Sequence, residues 1–344
     1  MRTISYQDIL RITAGFDGAT LDDVAAVDAV LFRDFVSLAL STAWEMENWP
    51  ELITDEDRWF RALWSSATTY AAPTSLGADE VFYSPADTYY QAIRASTNQV
   101  PATVSGSVVT ENSAYWAECL GSYSQDDWAS GAVYAVGDQV GNPDNGQSYQ
   151  CHTAHTSGAT FDTTKFGLLT PFERSISHVQ TGETAIGEML GVADRNRRIF
   201  TSTTEYPYIL GDDETLVLES PNKVWITFSL RCPRLFGDVY LATAAYIGGS
   251  DQAYFNGDFY DCLTSAAAGE SPAAAPAKWG LVKIPWIFRK YLAYEAYALY
   301  LGGPDGQSEK APIFHAVAMS ALSAEANKIL HRQQQTPRTI ILTR

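Results

Sequence analysis

Cys151, His152 and His155 stand within five residues of one another, and a thiolate with imidazoles is the ligand set that zinc favours. A structural zinc site needs four ligands, however. The chain holds four cysteines, Cys119, Cys151, Cys232 and Cys262, scattered and without a CxxC pair. Where a similar local pattern recurs, Cys262 is followed by Leu263 and Ala266 instead of histidines. No metal or other cofactor is therefore assigned. Carboxylates also cluster, as Glu45 with Glu47 and as Asp212, Asp213 and Glu214. A glycosidase needs two carboxyls on opposite sides of a bond, which adjacency in sequence does not supply, and 40 acidic residues produce such pairs by number alone. No GxxxxGK[ST], strand-associated GxGxxG, GxSxG or HExxH is present. The expectation is a chain that is not an enzyme.

The elements around the Cys-His cluster explain it better than chemistry does. Residues 148–169 read SYQCHTAHTSGATFDTTKFGLL, and residues 259–282 read FYDCLTSAAAGESPAAAPAKWGLV. Both hold Tyr-x-Cys, a small polar loop, then Lys, an aromatic, Gly and Leu. Two matched anchors around a variable loop define an internal repeat. A looser third copy precedes them, with Tyr89-Tyr90-Gln91-Ala92 and Tyr115-Trp116-Ala117-Glu118-Cys119 as its anchors.

Composition bounds the rest. A chain of 344 residues with 46% hydrophobic and 18% charged residues is globular and long enough for two or more compact units. The formal charge of −17 argues against a grip on phosphate backbone, which needs clustered Lys and Arg. No apolar run reaches the roughly 20 residues of a membrane span, and MRTISYQDIL lacks the apolar core of a signal peptide. Synthesis in the cytoplasm and free, buried thiols are expected.

Helical signals occupy the two ends. Ser5 to Asp8 has the shape of a capping box before Ile9, Leu10 and Ile12, and Gly15 and Gly18 stop that segment. Val24, Val27, Leu31, Phe35 and Leu38 recur at spacings of three and four, predicting the core face of a helix that runs from about Thr20 to Asn48. Trp44, Trp49, Trp59 and Trp64 then read as core packing where helices cross. Between about Tyr70 and Pro285 the texture is that of short strands and turns, including an Asn145-Gly146 turn. Arg195, Arg197 and Arg198 form a basic cluster, either a solvated loop or a surface for an acidic partner. Ile287, Tyr291, Tyr294, Ala298 and Leu301 mark a further helix, ended by Gly302-Gly303. Ser308 caps a last one along Phe314, Ala318, Ala321, Glu325 and Ile329. The end, Thr336-Pro337-Arg338-Thr339-Ile340-Ile341-Leu342-Thr343-Arg344, suits strand addition to a partner or a strand folded back on its own domain.

The second copy, with Trp128, Tyr134, Gly137-Asp138, Val140, Tyr149-x-Cys151 and Phe166, resembles the short chitin-binding type of carbohydrate-binding module. Phe166 replaces that family's closing Trp, which Trp279 keeps in the later copy. The resemblance implies exposed aromatics that stack sugar rings, here Trp128, Tyr134, Tyr149, Tyr260 and Trp279; packing of the module's own core is the other use of the same rings. Ala43 to Leu52, Arg231-Cys232-Pro233, Ile284 to Tyr291 and Asp305 to Ala311 resemble the neck proteins of tailed bacteriophages. That resemblance implies a virion structural protein, a head-to-tail adaptor assembled as a twelve-fold homo-oligomeric ring. The ring would sit between the portal protein and a tail or nozzle protein, its C-terminal segment, Thr336 to Arg344, docking on the portal. DNA would pass through the lumen without specific binding, a role that an acidic surface suits. The alternative is a carbohydrate-binding protein or glycan hydrolase of the virion that recognises a cell-surface polysaccharide.

The expected fold class is α+β: a helical domain formed by both termini with a large β insertion that carries two or three small modules. Its parts are 1–70 (helical, first part), 71–122 (β, with the loosest copy), 123–170 (module), 171–235 (strands), 236–284 (module), 285–335 (helical, second part) and 336–344 (docking segment).

Overall fold

The computed structural model of the chain describes all residues except 19, 21–25, 75–76, 124, 180–183, 201, 220, 303–308 and 336–344. It is mixed α+β, with four α-helices among the described residues and many short strands in small sheets. Two compact units emerge: Met1–Thr54 with Ser229–Arg344, and Asp55–Phe228. Among the described residues no helix is long and apolar enough to cross a membrane.

The first unit is built on helices α1 (Tyr6–Ala14), α2 (Ala26–Glu45), α3 (Arg289–Leu301) and α4 (Ala311–Gln335). Ser5 caps α1, its Oγ accepting Asp8 N at 3.0 Å and so satisfying one orphan donor of the first turn. Ile9, Val36, Leu40, Phe288, Leu292, Ala318 and Leu322 form the centre of one continuous core. Trp49 joins it edge-on against Phe288 and donates its indole N–H to Ala43 O at 2.8 Å. Trp59 and Trp64 fall in the second unit instead, against Phe82 and Tyr83, so crossing helices account for only part of the tryptophan cluster.

Helix α2 turns a different side inward from the one its spacing predicts. Ala29, Phe32, Val36, Ala39, Leu40 and Ala43 are buried, while Leu31 is 65% and Leu38 55% exposed. The helix carries apolar residues on most of its circumference, so periodicity alone does not select the core side. Its buried side is rich in alanine, which lets α3 approach closely.

Counted in chain order, the first module is the loose copy around Tyr90 and Trp116, the second that of Cys151, and the third that of Cys262; the third belongs with these helices and not with the insertion. Tyr254 and Phe259 enter the helical core, and Asp258 Oδ1 accepts Tyr6 N at 2.7 Å. Gly257, at φ +93°, passes so close to α1 that a Cβ would stand 2.8 Å from the Gln7 side chain. The insertion, Asp55–Phe228, therefore contains the first two modules and two further three-stranded sheets. One orders Ser175–Ser177, Glu214–Val217 and Tyr208–Leu210; the other orders Ile186–Ala193, Lys223–Leu230 and Ile53–Trp59.

Because Phe259 is 1% exposed and lies between module and helices, Phe259→Ala should lower stability by about 3–5 kcal/mol. The helical circular-dichroism signal should melt at a correspondingly lower temperature. An unchanged helical melt would show that the third module does not support the helices.

Candidate functional site

The three modules share one hydrogen-bond scheme, and it assigns a role to most of the residues that the sequence singles out. Each opens on an aromatic, Trp64, Trp128 or Tyr240, with a tyrosine six residues later, Tyr70, Tyr134 or Tyr246. The tyrosine hydroxyl accepts the backbone N–H that follows the aromatic: Ser65, Ala129 and Leu241, each at 2.8 Å. An aspartate then closes the next turn. Asp79, Asp138 and Asp251 accept the N–H after that tyrosine at 2.6, 2.7 and 2.7 Å. Their carbonyls accept Ala92 N, Cys151 N and Cys262 N at 2.8, 2.7 and 2.8 Å.

Strand registers agree as well. Ala92 pairs with Trp116, Cys151 with Phe166 and Cys262 with Trp279, in each case between the middle and closing strands of an antiparallel meander. Sequence reasoning finds the Tyr-x-Cys and closing-aromatic anchors but misses Asp79 and Asp251. The signal for them is the aromatic and tyrosine six apart with an aspartate downstream; the loop before the aspartate varies in length and hides it.

The glycan-stacking candidates fall into two separate groups. Trp128, Tyr134 and Tyr149 lie in the core of the second module with Phe161 and Phe166, whereas Tyr260 and Trp279 lie in that of the third with Tyr240 and Tyr246. Tyr134, Tyr149 and Trp279 are only 9%, 7% and 5% exposed. A ring that stacks on a sugar has to offer a face to solvent, and these three spend theirs on neighbouring side chains. Trp279 is further held by its indole N–H, which donates to Glu270 O at 2.9 Å. Trp128 and Tyr260 are half-buried, edge-on to Phe161 and Phe255 respectively.

The Cys-His cluster is a turn. Cys151 Sγ and His155 Nδ1 both donate to Thr153 O, at 3.2 and 2.9 Å, which places the His155 proton on Nδ1. His155 then packs on Tyr134 and edge-on to Phe166. His152 Nδ1 lies 3.0 Å from Thr153 Oγ1. Among the described residues no three His, Cys, Asp or Glu side chains converge in a way that could hold a metal ion. Burial pushes all four thiols upward, Cys232 to about 12. A thiol held protonated is a poor nucleophile and a poor ligand.

Glu45, Glu47, Asp212, Asp213 and Glu214 are exposed. The fold brings near each other two carboxylates that the sequence keeps apart: burial, and next the Glu118 charge, raise the Glu111 pKa. Each member of the arginine cluster has an acidic partner within the chain: Arg195 pairs with Asp194 at 2.9 Å, Arg197 with Glu205 at 3.3 Å, and Arg198 with Asp55. The docking segment, Thr336 to Arg344, lies outside the described residues, as does the Ser308 cap.

Two helix sides of the first unit face solvent with complementary character. Along α2 the exposed positions are Asp28, Leu31, Asp34, Leu38, Thr42 and Glu45. Along α4 one exposed line runs from Lys310, just before the helix, through Ile313, Val317, Ser320 and Ala324 to Lys328. The spacing of three and four in both makes each a continuous stripe. The first stripe is acidic around two leucines, its Asp34 paired with Arg33 at 3.2 Å, and the second is apolar between two lysines, of which Lys328 is paired with Glu325 at 2.7 Å.

Removing the hydroxyl that closes the second module tests the shared scheme. Tyr134→Phe leaves Ala129 N without its acceptor and should cost about 1–3 kcal/mol, read as a lower urea midpoint. An unchanged midpoint would mean that the hydroxyl does not hold the turn.

Comparison of the chain with protein-family models, with curated proteins and with solved structures finds no match.

Proposed function

We propose that this chain is a structural subunit of a tailed-phage particle, a head-to-tail adaptor that assembles with copies of itself into a closed ring between portal and tail. The observation that carries this reading is the pair of complementary helix stripes. Leu31 and Leu38 are set among Asp28, Asp34 and Glu45 on α2, and Ile313 and Val317 lie between Lys310 and Lys328 on α4. Large apolar side chains in register along one helix fit a partner row of the same kind, and the carboxylates beside the first row and the lysines at the ends of the second favour that pairing. A second copy of the chain supplies that partner, and because the two stripes differ the contact is heterologous, the type that closes into rings.

The remaining features agree with assembly more than with catalysis. Buried, protonated thiols and core-packed aromatics hold the modules together, and the modules brace the subunit or its neighbours. A formal charge of −17 suits the wall of a DNA conduit, because repulsion keeps the duplex from adhering. Residues 336–344 reach the portal protein in this reading, and the resemblance of the chain ends to phage neck proteins supports the same placement in the virion.

Leu38→Glu and Val317→Glu each put a charge in one stripe without touching the core, so the subunit should keep its fold within about 0.5 kcal/mol. By mass photometry the unmodified chain should form closed oligomers and each variant should dissociate to subunits. Assembly that is indifferent to both substitutions would remove the stripes from the interface. A chain truncated after Gln335 should lose retention on immobilised portal protein while its ring persists; undiminished retention would overturn the docking role of the C-terminal segment.

A further inference from the structure

The first two modules meet along a junction built from backbone and buried amides. Gln150 Nε2 donates to Ser113 O at 3.2 Å and to Trp116 O at 3.1 Å. Gln91 answers from the other module, donating to Thr170 O at 3.1 Å and accepting Thr170 N at 2.9 Å. Gly167 approaches the first module so closely that a Cβ would stand 2.2 Å from Ile93 O. Fully satisfied, buried amides and touching backbones hold the two walls in fixed relation. The cleft beside this junction is therefore preformed, with a volume of about 380 Å³, within the ~300–1,000 Å³ of small-molecule sites.

We propose that this cleft binds a glycan unit that carries a carboxylate, with Arg94 as its counter-charge. Arg94 follows the middle strand of the first module, is exposed, and has its guanidinium 5.4 Å from the centre of the Tyr115 ring. Among the described residues it has no carboxylate partner, in a chain where acidic residues outnumber basic ones 40 to 23. A guanidinium offers the planar fork of donors that a carboxylate takes in bidentate fashion.

The other lining groups are neutral and polar or apolar. His152, Gln147 and Thr163 supply hydrogen-bonding groups, and Pro73 and Leu168 supply apolar contact. Burial, and next the Arg94 charge, lower the His152 pKa, so its imidazole is neutral at neutral pH and can exchange hydrogen bonds with hydroxyls. One positive charge amid several neutral hydrogen-bonding groups and a small apolar wall matches one acidic sugar. An extended peptide fits less well, because Ile93 already covers the face of the closing strand, Phe166–Leu169, at Gly167 and leaves no room there for a chain laid across it. Tyr149 and Phe166 also border the cleft, but at 7% and 3% exposure they offer it an edge and not a face for stacking, and the site does not depend on ring assembly.

Saturation-transfer NMR on the full chain, with glucuronate and glucose as probes, tests the proposal. Glucuronate should give a saturable response at least tenfold tighter than glucose, Arg94→Gln should reduce it to the level of glucose, and Arg94→Lys should retain part of it. Acetate and inorganic phosphate at the same concentration should fail to displace glucuronate. Equal responses to glucuronate and glucose, or a glucuronate response untouched by Arg94→Gln, would overturn the site. Displacement by acetate or phosphate would overturn its sugar specificity and leave a simple anion site.

Discussion

A β meander of some forty residues cannot bury enough apolar surface to stand alone, and much of this structure follows from that constraint. Below about 40 residues, small domains usually need a disulfide, a metal or a partner surface. Here the thiols of the modules, Cys119, Cys151 and Cys262, are free and buried, so the modules rely on neighbours. The first leans on the second through Gln91, Gln150 and the contact of Gly167 with Ile93. The third leans on α1 and the helical core through Tyr254, Phe259 and Asp258. What the chain has in place of cross-links is the repeated closure of each module by a tyrosine hydroxyl and an aspartate.

The same economy explains why the aromatics sit where they do. In each module the closing residue, Trp116, Phe166 or Trp279, is 0%, 3% or 5% exposed. Large rings dominate burial in so small a core, and removing one to the surface would leave little to hold the meander. Recognition, if it is to coexist with folding, then has to use the space between modules, where backbone contact fixes the geometry and side chains remain free. The cleft with Arg94 and His152 has that character.

In the helical unit the constraint is different. Helix α2 has apolar residues on several sides, and only one side can face α3 and the shared core. The side that loses is left with Leu31 and Leu38 in solvent, and α4, which packs inward through Ala318 and Leu322, leaves Ile313 and Val317 outside. Such a surplus of apolar surface in register is a cost to an isolated subunit and an asset to an assembling one.

Local signals in the sequence determined the Ser5 cap, the stop at Gly15, helices at both ends, and two of the repeat's anchors, because caps, turns and strand pairing act over a few residues. The α+β class follows from them. The tertiary structure alone decided which side of α2 is core, since its periodicity serves two sides equally well. It alone joined the third module to the helices, through contacts such as Tyr6 with Asp258 that span most of the chain. Burial of Tyr134, Tyr149 and Trp279, the turn that engages Cys151 and His155, and the approach of Glu111 to Glu118 were equally out of reach, because exposure is a property of what packs against a residue and not of the residue. The cleft at Arg94 is the clearest case: its walls come from two modules, and no stretch of sequence contains it.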